Sequence, residues 1–154
     1  MALERILLAV GQGDKNRIDA LAATVVDVAE PADATVELAH VFTNDEYDEF
    51  RGSLRFDPQS EVTPTAVAER HETIRLLGDA LDEAGLSYSV HGSLSNGTSQ
   101  GARVIELAEF VDADLIIVGG RKRSPTGKAV FGSTAQEVMM HAPCPVTFVK
   151  GESS

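Results

Sequence analysis

One stretch carries most of the chemistry in this sequence: Gly119-Gly-Arg-Lys-Arg-Ser-Pro-Thr-Gly-Lys-Ala-Val-Phe-Gly-Ser-Thr134. Four of the chain's 13 basic residues, Arg121, Lys122, Arg123 and Lys128, lie here with no acid between them. The whole chain has a formal net charge of −11, so this is a positive island on an acidic protein. The stretch delivers the chain through Gly132-Ser133 to a helix start. Free backbone N–H groups at such an end, the helix dipole and a hydroxyl from Ser133 or Thr134 all favour an anion, above all a phosphate. The alternative is a solvated basic loop whose Ser133 or Thr134 caps its own helix. Gly127-Lys128 does not make a Walker loop, because the Gly-x-x-x-x-Gly-Lys-Ser/Thr spacing is absent and position 129 is Ala.

Other candidates are weaker. Gly11-Gln-Gly13 lacks the third glycine of a dinucleotide fingerprint, and Asp14 follows it. The histidines His40, His71, His91 and His141 form no metal-ligand spacing with one another or with Cys144, so no metal is expected. His40 ends a strand near the expected pocket and reads as a hydrogen-bonded structural residue. His141 falls near a helix C-terminus, where it suits the terminal carbonyls. The acids Asp45, Glu46, Asp48 and Glu49 read as a solvated face. Ser133 has no evident His or Asp partner and no Gly-x-Ser-x-Gly elbow, so no catalytic residue is identified. Cys144, alone in the chain, reads as a small buried hydrophobe.

The elements that must position these residues follow from apolar spacing. Strand-like runs fall at Glu4–Val10, Ala34–Phe42, Ser87–His91, Leu115–Val118 and Pro145–Val149. Ile6-Leu-Leu8, Leu115-Ile-Ile-Val118 and Val146-Thr-Phe-Val149 are nearly continuous aliphatic stretches, the pattern of strands covered on both faces. A helix is predicted after Asn16, carrying Ile18, Leu21, Val25 and Ala29 and ending before Pro31. A second runs from Thr63-Pro64 to Gly85, a third from Gln100 to Phe110. A fourth starts at Gly132-Ser-Thr134, where Thr134 and Glu137 have capping-box spacing, and stops before Pro143. Positions 43–62 show no period and read as a loop anchored by Phe50, Leu54 and Phe56. The alternation predicts an α/β fold, a doubly wound five-stranded parallel sheet with helices on both faces. Ligands in such sheets sit beyond the carboxyl ends of the strands, near the reversal of strand order.

Composition bounds the rest. The 154 residues suit one domain, expected over 1–150 with an exposed tail over 151–154. No apolar run approaches the ~18 residues of a membrane span and no secretory signal is visible, so a cytoplasmic location is expected. The strong negative charge argues against nucleic acid and anionic membranes as partners.

Asp112-Ala-Asp-Leu-Ile-Ile-Val-Gly-Gly120, Gly132-Ser-Thr-Ala-Gln-Glu-Val138 and His141-Ala-Pro-Cys-Pro-Val146 resemble the C-terminal half of a universal stress protein. Ile6-Leu-Leu-Ala-Val10 and Leu38-Ala-His-Val41 also fit. The resemblance implies an adenine nucleotide alpha hydrolase-like sheet. It implies binding of ATP or AMP, with Mg²⁺ alongside ATP, through a motif Gly-x2-Gly-x9-Gly-Ser/Thr. Gly119, Gly132 and Ser133 match that motif, while Lys122 stands at the second glycine. Lysine there either crowds the phosphates or pairs its ammonium with them. The aspartate such members carry after strand one is replaced by Gly11. Carried over, Ala9, Val10 and Gly11 face the base and ribose beside Val41; Val118, Gly119 and Lys122 border the sugar and phosphates; and Gly132, Ser133 and Thr134 hold the phosphates. The resemblance also implies a homodimer paired through Val146–Val149. The expected function is nucleotide binding as a regulatory signal in a stress response, with at most slow hydrolysis; the alternative is a nucleotide-independent dimeric interaction or protective module.

The acid excess has its own consequence. With 24 Asp and Glu against 9 Arg and only 4 Lys, the surface suits salt-rich cytoplasm, where screening removes self-repulsion. Urea melts are expected to show higher stability in multimolar KCl than at low salt; equal stability at both would remove the halophilic reading.

Overall fold

The computed structural model describes residues 3–53, 62–120 and 132–151. Five strands, β1 Arg5–Val10, β2 Thr35–Phe42, β3 Tyr88–Leu94, β4 Leu115–Gly120 and β5 Val146–Lys150, form one sheet in the order β3-β2-β1-β4-β5. Every pairing is parallel. Among the described residues six α-helices accompany them: α1 Ile18–Ala32, α2 Asn44–Ser53, α3 Pro64–Glu69, α4 Glu72–Glu83, α5 Gln100–Phe110 and α6 Ser133–His141. Strand order reverses at β1, with β2 on one side and β4 on the other.

The period of two along β1 separates two cores. Ile6, Leu8 and Val10 pack with Leu21 and Val25 of α1 and Leu77 and Leu81 of α4. Leu7 and Ala9 pack on the other face with Val104 and Ala108 of α5 and Ala135 and Val138 of α6. Ile6, Leu7, Leu8, Leu21, Leu77 and Leu81 are fully buried, each contributing about 1.5–3 kcal/mol relative to exposure. The start of the sheet is fastened by Asp114, whose Oδ2 accepts from Glu4 N at 2.9 Å and Arg5 N at 3.0 Å. Those two N–H groups hold its carboxyl below the usual carboxylate range. No described helix is long and apolar enough to cross a membrane.

Several boundaries differ from expectation. Pro31 lies inside α1, which continues to Ala32 and ends on Asp33 in the left-handed region (φ 51°). Near the helix end its missing N–H forfeits a single hydrogen bond, and its fixed φ is already helical. The helix predicted over Thr63–Gly85 is two helices. Thr63 Oγ1 caps α3 by accepting from Ala66 N, but His71 is extended (φ −74°, ψ 132°) and its Nδ1 accepts from Thr73 N to start α4. Residues 44–53, read as loop, form α2, capped by Thr43 Oγ1 accepting from Glu46 N at 3.1 Å. Its few apolar residues gave no period; Phe50 does pack with Phe42, Tyr47 and Val67, while Leu54 and Phe56 lie outside the described residues. Just past β5, Gly151 is buried, its N–H donating to Gly120 O at 2.8 Å, so this first residue of the expected tail is not exposed.

The first turn of α3 lies directly on β3. A Cβ at Gly92 would collide with the backbone of Pro64 and Thr65, and Gly92 N donates to Thr65 Oγ1 at 3.1 Å. Gly92→Ala is expected to cost about 1–3 kcal/mol in urea unfolding. Gly52→Ala, on α2 with nothing within 4 Å of the added carbon, is expected to stabilise by about 0.5–1 kcal/mol. Equal effects from both would show that the contact with α3 is not tight.

Candidate functional site

β1 ends at Val10, and the chain turns through Gln12–Asn16 in a single 3-10 helix. Asp14 folds that turn back on itself: its N–H donates to Gly11 O at 3.1 Å, and its Oδ2 accepts from Gly11 N at 2.7 Å. Burial pushes the Asp14 carboxyl up, against the opposing pull of the Gly11 N–H, Arg17 and His40. Arg17 Nη1 donates to Gly13 O at 2.9 Å and lies 3.3 Å from Asp14 Oδ1. Its stem runs under the end of β4. A Cβ at Gly119 would sit 2.8 Å from Arg17 Cδ and 3.0 Å from Asp14 Oδ1, so only glycine fits there.

A cavity of about 410 Å³ opens beyond the carboxyl ends of β1 and β4, where strand order reverses. Ala9, Val10, Gly11, Val41, Val118, Gly119, Gly132, Ser133 and Thr134 all line it. Lys122 lies outside the described residues. Ala9, Val41, Val104, Val118 and Ala135 belong to the apolar cluster beneath and form its greasy wall.

α6 opens onto this cavity, and among the described residues no side chain caps it. Gly132 is its N-cap residue, with no side-chain hydrogen bond, and the first helical bond is Gln136 N to Gly132 O at 2.9 Å. The N–H groups of Ser133, Thr134 and Ala135 thus face the cavity end of the helix with no intrahelical acceptor. The capping box expected from Thr134 and Glu137 is absent. Glu137 instead accepts from Ser99 Oγ, at 2.6 and 2.8 Å to its two oxygens, and Ser99 Oγ accepts from Ala102 N to cap α5. The spacing was right for a box, but the neighbouring helix offers the carboxylate a hydroxyl donor.

Asp14, Arg17 and Gln100 line the cavity and were not singled out from the sequence. Gln100 Nε2 donates to Val41 O at 2.8 Å, tying the end of β2 to the first turn of α5. Arg17 is the residue just before a helix, and no local pattern marks such a side chain as reaching across to β4.

His40 does not line the cavity. It points to the opposite face of β2, fully buried, with Nε2 3.2 Å from Glu46 Oε2 and its ring stacked on Phe42 at 4.2 Å. Glu46, read as part of a solvated face, is buried at 4% exposure because the first turn of α2 points it at His40. His71 sits 4.4 Å from His40 between ring centroids; burial, then the nearby His40, pull its pKa down to about 4, with Glu46 acting the other way. Burial and then Asp114 push the Cys144 thiol up, as for an unreactive cysteine.

Residues 2–150 match the universal stress protein family. A universal stress protein of Mycolicibacterium smegmatis is 30% identical over 70 residues, covering 46% of this chain and 52% of that protein, so the match spans about half its length. Among solved structures, a universal stress protein from Archaeoglobus fulgidus is 26% identical with a TM-score of 0.68, covering 96% of this chain and 98% of that one. A universal stress protein in complex with cAMP is 16% identical (TM-score 0.65, 97% and 98% covered). One from Archaeoglobus fulgidus in complex with dAMP is 21% identical (TM-score 0.64, 97% and 100% covered). The turn after β1, the glycine end of β4 and the open start of α6 thus belong to a fold shared along nearly its whole length, and this chain is a member of the universal stress protein family.

Proposed function

We propose that the cavity binds an adenine nucleotide, ATP or AMP, as a regulatory ligand. The uncapped start of α6 carries this reading. Three backbone N–H groups, the positive end of the helix dipole and the Ser133 and Thr134 hydroxyls converge on the space bordered by Gly119 and Gly132. The apolar wall of Ala9, Val41, Val104 and Val118 suits a base, and about 410 Å³ falls in the range of small-ligand sites. Solved relatives that hold cAMP and dAMP support the same class of ligand.

Arg17 adds a cation to the cavity wall beside Gly11, where the family's aspartate is missing. Mg²⁺ would enter with ATP, held chiefly by the phosphates. The carboxylates lining this cavity and the polar recess beside it are Asp14, bonded to Gly11 N and Arg17, and Glu137, bonded to Ser99. With both so occupied, neither serves as a free base, which suits a bound signal better than turnover. The homodimer belongs to the same proposal: β5 is an edge strand with Val146, Thr147 and Phe148 half-buried, open to pairing across a two-fold axis.

Calorimetric titration of ATP and AMP at high KCl is expected to give saturable heat. Gly132→Val with Ser133→Ala should then weaken binding at least about tenfold, because charge-assisted hydrogen bonds of about 1.5–3 kcal/mol are lost. Gly132 has φ −56° and, among the described residues, nothing within 4 Å of an added Cβ, so the fold is expected to tolerate the change. No heat at millimolar ATP or AMP would leave the nucleotide-independent module as the function; full affinity in the double variant would move the phosphate site elsewhere.

A further inference from the structure

The three buried groups behind β2 meet from three separate elements: His40 from β2, Glu46 from α2 and His71 from the junction of α3 and α4. They are 0%, 4% and 8% exposed, and their ligand-type atoms lie within 4.8 Å of one another. Among the described residues no other set of His, Cys, Asp and Glu converges in this way. Two of their polar atoms, His40 Nδ1 and Glu46 Oε1, are buried without a hydrogen-bond partner. Buried polar atoms are rarely left so, and each such case calls for an explanation.

His40 Nε2 and Glu46 Oε2 are 3.2 Å apart. Two lone pairs facing each other in a site closed to water repel, so either a proton or a metal ion lies between them. Neighbouring donors around a tetrahedral Zn²⁺, with bonds of about 2.0–2.1 Å, are about 3.3 Å apart, which matches this pair. With the metal on Nε2, the His40 proton sits on Nδ1, still without an acceptor, so of the two unpartnered atoms it is Glu46 Oε1 that a metal accounts for. We propose that His40, Glu46 and His71 bind one Zn²⁺-class divalent cation that fastens α2 to the back of the sheet. The donor set, two imidazoles and one carboxylate, favours Zn²⁺ and Co²⁺ over Mg²⁺ and Ca²⁺. Glu46 Oε1 supplies the fourth donor when the carboxylate binds through both oxygens, so no water is needed in so closed a site. An imidazole binds such a cation in its neutral form.

The site demands one rearrangement. His71 Nδ1 accepts from Thr73 N at 3.2 Å, so its proton sits on Nε2 in the metal-free protein. Capture by either ring nitrogen gives up that helix cap, and the three donors must draw together by at most about 1.5 Å from their present spread. Metal binding therefore exchanges a backbone cap for a cross-link between three segments.

The test uses the untagged full chain, stripped of metal with a chelator and titrated with Co²⁺. A visible d–d band of four-coordinate intensity is expected, saturating at one ion per chain and abolished by Zn²⁺. Glu46→Gln and His71→Asn should each weaken Co²⁺ binding at least about tenfold. Asparagine keeps a good cap acceptor at position 71, so α4 should survive. Cys144→Ser should leave the band unchanged. No band at millimolar Co²⁺, or a band that persists in both site variants, would overturn the proposal. Should either variant fail to fold, the native chain decides: a melting temperature that does not rise in saturating Zn²⁺ also overturns it.

Discussion

Arg17 lies lengthwise under the ends of β4 and β5, and the cavity end of the molecule is built around that contact. Its stem occupies the space a side chain at Gly119 would fill, and a Cβ at Gly151 would come within 3.2 Å of its Nε. Its guanidinium holds Gly13 O and Asp14, and Asp14 in turn holds Gly11 N. The turn after β1 and the glycines ending β4 and β5 are thereby referenced to one side chain. Arg17 Nε is buried without a partner, so the arrangement carries a polar desolvation cost that the surrounding hydrogen bonds must offset. A tight floor is the result, while among the described residues an added Cβ at Gly11 or Gly132 meets nothing within 4 Å.

β2 divides this site from the buried cluster behind it. Ala39 and Val41 project with Ala9 and Val118 toward the cavity face, whereas His40 and Phe42 project toward α2 and His71. Adjacent residues of one strand therefore serve two unrelated environments, and the alternation of a pleated backbone is enough to keep them apart. Their proximity is still felt electrostatically, since His40 contributes to the lowering pull on the Asp14 carboxyl.

Strands covered on both faces announce themselves by continuous aliphatic runs, which is why β1, β4 and β5 could be placed from composition within a residue or two. Gln100–Phe110 was equally plain because its apolar stripe is regular, and the structure adds Ser99 as its cap. Features that depend on contacts between distant segments were not legible. α2 has few apolar residues and is held by Tyr47, Phe50 and the buried Glu46, so its sequence resembles a charged loop. The break at His71 arises from one side chain turning back to its own backbone, which competes with helix in a way no periodicity shows. At the cavity, glycine and hydroxyl positions could be read because helix starts have local signatures. Arg17 and Gln100 could not, because they act across the fold on Gly119 and Val41. Local chemistry left the start of α6 open between an anion cradle and a self-capped helix, and the family resemblance favoured the first.

The bare first turn of α6 also makes the folded state sensitive to what surrounds it. Among the described residues no side chain caps its N–H groups, and only the folded chain presents them together. Whatever anion settles there adds RT ln(1 + [L]/Kd) to the unfolding free energy, about 2.7 kcal/mol at a hundred times its dissociation constant. For a domain of marginal stability, that increment alters how often the chain opens and how long it escapes proteolysis. If an anion settles at that turn as proposed, abundance of the protein would follow solute concentration, with no conformational change required.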